Sequence, residues 1–146
     1  MLLSKNEIKI LNDRKTERVP IPEWGEGAEV LVKQMSAYER ELYESWAMVL
    51  SEQRAAGIVT TQHLYARMAT LSCCDEHGDM LFTMDDVEWL SQKSYVALRR
   101  IFDVAWRINL IDPEEVDKAI DFFEATPSSS SGSALPLPSA DAPLPS

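Results

Sequence analysis

The spacing of apolar positions changes along this chain, and each change marks a different element. Residues 18–24 alternate apolar and polar until Pro20 and Pro22 intervene. Residues 28–35 alternate again, with Val30 and Val32 on one side and Leu31 and Lys33 on the other. A period of two is that of a strand. The stretch between them, Gly25-Glu26-Gly27, is a turn signal, so the two runs predict a β-hairpin. Proline has no N–H to give a ladder, which places the first strand at a sheet edge. Two strands alone are marginal in water. Helices must therefore cover one face, with Trp24 as the anchor between them.

From Ser36 the period lengthens to that of a helix. Ser36-Ala37-Tyr38-Glu39 has the form of a capping box, and the helix it opens is predicted to run to about Ala55, with Gly57 ending it. Its apolar stripe reads Tyr38, Leu42, Trp46, Val49 and Leu50, with Tyr43 beside it; Glu39, Arg40, Glu44, Glu52 and Arg54 lie opposite. Thr60 or Thr61 is predicted to cap a second helix to about Cys73, striped by Leu64, Met68 and Leu71, with Ala66 and Ala69 allowing close packing. A polar loop follows at Asp75-Glu76-His77-Gly78-Asp79, and Leu81-Phe82 is expected to return to the core. Thr83 opens a third helix, whose first turn holds Asp85 and Asp86 where the macrodipole favours them. Val87 and Leu90 form its buried pair. After a break at Ser91 to Ser94, residues 95–109 carry the strongest pattern: Leu98, Ile101, Phe102, Ala105 and Ile108 share one face. This is the predicted central helix. Asp112-Pro113-Glu114-Glu115 signals one more helix start, with Val116, Ile120 and Phe123 as its apolar face.

The pattern stops at Thr126. Residues 126–146 are rich in Ser, Pro and Ala and contain repeated Leu-Pro steps and an Ala-Pro step. So little apolar surface does not offset chain entropy, and a disordered tail is expected. Residues 1–17 are weakly patterned and read as a loosely ordered arm. The predicted architecture is α+β and mainly α: an N-terminal β-hairpin packed on a bundle of about five short helices, in a single domain over residues 18–125.

Charge narrows the possible partners. With 14 Lys and Arg against 24 Asp and Glu, the formal net charge is −10. Nucleic acid is bound through Lys and Arg, and no basic block is present. A helix-turn-helix drawn over residues 61–109 would offer Arg99, Arg100 and Arg107 but sets Asp103 among them. An acidic body suits solubility and a basic or apolar protein partner. The apolar runs fall far short of the roughly 20 residues of a membrane span, and Met1-Leu2-Leu3 passes directly into Ser4-Lys5-Asn6-Glu7 without a signal-peptide core. The expected location is the cytoplasm.

Chemical sites find little support. Cys73 and Cys74 are adjacent, so they neither close an ordinary disulfide nor match zinc-ligand spacing with His63 and His77. Asp75, His77, Asp79 and Asp86 fall at calcium-loop positions, but Met80 stands where such a loop needs glycine. The paired acids Asp85-Asp86 and Glu114-Glu115 sit at helix starts, where capping explains them. No phosphate loop, nucleophile elbow or zinc-protease motif is present. No catalytic, cofactor or metal site is expected. Large rings remain: Trp46, Trp89, Trp106, Tyr43 and Tyr95. Trp106 and Tyr95 lie off the main stripe of their helix, and rings left partly exposed are typical protein-binding anchors. Trp46, Tyr95 and Trp106 are therefore the candidate partner contacts; the alternative is that they pack beneath the hairpin or the last helix.

Taken in order, several segments resemble one known family. They are Val19-Pro20-Ile21-Pro22-Glu23-Trp24-Gly25, the second strand with Met35-Ser36-Ala37-Tyr38-Glu39-Arg40, Leu71-Ser72-Cys73-Cys74-Asp75-Glu76-His77-Gly78, Leu81-Phe82-Thr83-Met84-Asp85-Asp86-Val87, and Leu98-Arg99-Arg100-Ile101-Phe102-Asp103-Val104-Ala105 ending at Ile108-Asn109. Over about residues 18–124 the chain resembles the tail assembly chaperones of siphophages and related prophages. That resemblance implies a non-catalytic role: binding the tape measure protein, keeping it soluble, and promoting tail tube assembly around it, without entering the mature virion. It also implies that a longer, frameshifted form recruits the tail tube protein. The alternative is a small acidic protein-binding adaptor or regulatory module without catalytic activity.

Overall fold

Strand β1 (Thr16–Pro20) pairs antiparallel with β2 (Glu29–Lys33), setting Val19 opposite Val30 and Pro20 opposite Glu29. The computed structural model describes residues 1–109. The predicted hairpin is present, and β1 is an edge strand as its proline requires. It is shorter than the alternation suggested. Pro22–Trp24 forms a 3-10 turn, not strand, since the second proline fixes a helical φ. A third strand, β3 (Cys73–Cys74), joins β2 on its other side. It was not predicted: two residues are too few to show a period.

Before the sheet, α1 (Lys5–Lys9) is opened by a Ser4 capping box and buries none of its residues. Helix α2 (Ala37–Ala55) begins with the predicted Ser36–Glu39 box. It ends at Gly57 (φ 77°), where the Gly57 N–H donates to the Arg54 carbonyl and the Ile58 N–H to that of Gln53. This crossed pair is a Schellman stop, and the left-handed residue it needs is glycine. The buried face of α2 differs from expectation. Tyr43, Ala47, Leu50 and Ser51 face inward, whereas Tyr38 is 70% exposed and Val49 is also exposed. The small Ala47 and Ser51 let α2 approach its neighbours closely, a signal that a search for large apolar residues passes over.

Helix α3 (Leu64–Ser72) starts later than predicted. His63, not a threonine, is the capping residue, in left-handed conformation (φ 53°), while the Thr61 hydroxyl accepts from the His63 N–H. Nearly all of α3 is buried. Its inward hydroxyls Thr70 and Ser72 donate to the carbonyls of Ala66 and Met68 one turn back, which satisfies them without outside partners. The loop after β3 turns at Gly78 (φ 86°), with the Asp75 carboxylate accepting from the N–H groups of His77 and Asp79. Thr83 caps a 3-10 turn that continues into α4 (Val87–Leu90), whose Val87 and Leu90 are buried as predicted.

Helix α5 (Tyr95–Asn109) is the central element. Leu98, Ile101, Phe102 and Ala105 are buried, packed against α3 and the inner face of the sheet, where Val19 and Val32 lie. Ion pairs tie it to the hairpin: Arg100 makes two hydrogen bonds to the Glu23 carboxylate, and Arg107 bonds Glu17. Its C-terminus is held by the α2 start. Met35 N–H donates to the Asn109 side chain, and the Arg40 guanidinium to the Asn109 carbonyl, where a cation also suits the helix dipole. The observed class is thus the expected one, α+β and mainly α. The predicted helix after Asp112 and the tail after Thr126 lie outside the described residues.

Candidate protein-binding surface

Residues 80–96 supply six of the exposed large apolar side chains: Met80, Leu81, Met84, Trp89, Tyr95 and Val96. Leu81 was expected to be core, yet it is 45% exposed. The short β3 and the isolated bridge between Cys74 and Met80 hold this segment out along the sheet end. Phe82 does turn back and is partly buried against the core. Trp24, the predicted anchor, packs there as well.

Together these residues line an apolar groove of about 430 Å³, formed by Trp24, Val30, Leu81, Phe82, Trp89 and Leu90, with Lys93 the charged member. Trp89 is 48% exposed and is nevertheless positioned. Its ring meets Phe82 edge-on at 6.0 Å, and its indole N–H donates to Asp86 Oδ1 at 2.9 Å. The other Asp86 oxygen accepts from the Thr83 N–H at 2.8 Å. These two bonds, the backbone one first, hold the Asp86 carboxyl below its ordinary pKa. The carboxylate thus stays charged at neutral pH and fixes one ring of the groove. Exposed Asp85 and Glu88 place further negative charge on the same short helical stretch. An apolar floor with aromatic walls and a charged rim is what the apolar ridge of a helix or extended peptide needs.

The predicted contacts fare differently. Tyr95 is 52% exposed and stands edge-on to Tyr65 at 5.4 Å. Its cleft is also lined by His63, Gln92 and Lys93. Lys93 lines both the cleft and the groove, so Tyr95 adjoins the groove. Trp46 is partly buried, with the Arg67 guanidinium 4.3 Å above its ring. Trp106 is not an exposed anchor: it is 2% accessible. It stacks on Phe102 (5.5 Å, 9°), meets the edge of Tyr43 (5.5 Å, 62°), and lies 5.7 Å from the Arg40 guanidinium. The reason is the direction in which α2 packs. Turning Tyr43 inward brings it against the flank of α5 that carries Trp106. Sequence reasoning counted Trp89 among the rings without choosing it; its place three residues after Asp86, within indole reach on a helical turn, was the available signal.

Among the described residues, no three His, Cys, Asp or Glu side chains gather as a metal site. Burial pushes the Cys73 thiol up to about 12, far from the thiolate chemistry a nucleophile needs. No helix of the described residues is long and apolar enough to cross a membrane.

No protein-family profile matches the sequence, and no curated protein matches it significantly. Among solved structures, the tail assembly chaperone of bacteriophage HK97 matches 73% of this chain and 95% of its own length, with a TM-score of 0.51 and 18% identity. The chain has the tail assembly chaperone fold. At that identity the likeness is one of backbone, so the groove rests on this chain's own side chains. On this chaperone fold it sits where the 3-10 turn after β1, strand β2 and helix α4 converge, away from the α5 C-terminus.

Proposed function

We propose that this chain is a phage tail assembly chaperone that binds the tape measure protein, keeps it soluble in the host cytoplasm, and promotes tail tube assembly around it without entering the mature virion. The fold it shares with the HK97 tail assembly chaperone carries the reading. The groove supports it. A holdase for a long helical chain needs exposed apolar surface that is rigid enough not to collapse, and Trp24, Phe82 and Trp89 supply rings already placed by packing and by the Asp86 bond. Methionines nearby, Met80 and Met84, are exposed and adapt to varied apolar ridges. In this reading the client's apolar ridge lies in the groove and extends over Lys93 toward Tyr95, with Trp46 an outer contact. The role is non-catalytic, and needs no cofactor. A longer frameshifted form that recruits the tail tube protein belongs to the same reading.

Co-expression with a tape measure protein from the same genome tests it. The client's soluble fraction rises, and the client co-purifies with this chain. Unchanged solubility with no co-purification refutes the holdase role and favours the adaptor alternative.

A further inference from the structure

An aromatic-lined groove suits a second kind of occupant, a proline-rich segment, because prolines fix an extended backbone that loses little entropy on docking into rings. This chain carries such a segment: Leu135-Pro136-Leu137-Pro138, with Asp141 the sole charged residue beyond Glu124. We propose that Leu135-Pro136-Leu137-Pro138 docks in the Trp24–Phe82–Trp89 groove of its own chain and occupies it until a client displaces it.

Reach, charge and effective concentration support this. Leu135 lies 26 residues beyond Asn109, the last residue of α5. The groove borders the Glu23–Arg100 ion pair, about 14 Å back along α5 at 1.5 Å per residue. The 26 intervening residues have a contour of about 86 Å at ~3.3 Å per residue, several times that distance, so the chain is long enough for the segment to fold back to the groove. Lys93 at the groove offers a cation to Asp141. Tethering raises the effective concentration to about millimolar. A segment with a dissociation constant of about 1 mM then fills the groove about half the time, and removing it tightens client binding about two-fold. Displacement by a client rests on the chaperone reading; docking of the tail does not.

The test uses the full chain with Ser139→Cys carrying a nitroxide. Native Cys73 and Cys74 are buried, and react slowly under the labelling conditions. NMR of the tryptophan indole N–H groups reads proximity. The proposal expects strong broadening of Trp24 and Trp89, weak broadening of Trp46, no dependence on protein concentration, and loss of the effect in the Leu135→Ser/Leu137→Ser variant. Equal broadening of all three, none at all, or broadening only when labelled and unlabelled chains are mixed overturns it, the last by assigning the groove to a second copy. No client is present, so this result stands apart from the co-expression result.

Discussion

Replacing Trp106 with alanine separates a core ring from a surface ring most sharply. Trp106 is 2% exposed and sits between Phe102, Tyr43 and Arg40. Removing a buried large aromatic costs about 3–5 kcal/mol through lost transfer energy and the cavity left behind. Part of that is the ring pairing, at about 0.5–1.5 kcal/mol per aromatic contact beyond area burial. The expected loss for Trp106→Ala is therefore about 4 kcal/mol. With a urea slope of about 1.5 kcal/mol/M, the midpoint falls by roughly 2–3 M. Trp106→Phe keeps the stacking partner and costs about 1–2 kcal/mol, which keeps the comparison readable if the alanine variant fails to fold. Trp89→Ala loses an edge contact and one exposed hydrogen bond, and costs under about 1 kcal/mol. Urea denaturation followed by circular dichroism checks all three. A Trp106→Ala loss below about 1 kcal/mol, or a Trp89→Ala loss as large as that of Trp106→Ala, refutes the assignment of core and groove.

Other outcomes follow from single sites. Cys73, with its thiol pushed up to about 12 by burial, resists alkylation at pH 8 in the native protein and reacts freely in urea; rapid native labelling contradicts its burial. The Asp75 carboxyl is held below its ordinary range, first by the Asp79 N–H and then by that of His77. Because its folded pKa is depressed, the loop's stabilisation is present above the unfolded pKa and is lost as pH falls through the lowered folded value. An NMR titration of Asp75 should give a midpoint below that of an unstructured peptide, with the His77 and Asp79 amide chemical shifts moving through the same midpoint as their bonds to the carboxylate weaken. Gly78→Ala forces a side chain into φ 86°, with the new carbon 3.4 Å from Lys33 Nζ; a stability loss of about 1–2 kcal/mol is expected, measurable by thermal melting.

Much of the fold was legible because its signals were local and long. Helix α5 follows from a sustained period, and α2 from a capping box and a stop glycine. The hairpin follows from alternation bounded by Gly25 and Gly27. What was not legible depended on contacts between elements. The rotation of α2 was decided by small residues, Ala47 and Ser51, and it carried Trp106 from a predicted surface into the core. Strand β3 exists because β2 lay beside it, since Cys73-Cys74 alone has no period. The groove combines Trp24, Phe82 and Trp89 from three separated segments. No spacing rule joins them, although Tyr95, one of the predicted contacts, proved to adjoin it.

Site-specific photo-crosslinking tests the central claim, that the groove holds a tape measure client. A photoreactive residue at Leu81, in the groove, is compared with one at Tyr38, exposed on α2 and not among the groove's lining, during co-expression with the client. The account predicts client adducts from position 81, mapping to an apolar helical ridge, and few from position 38. Adducts from position 38 with none from position 81 contradict it.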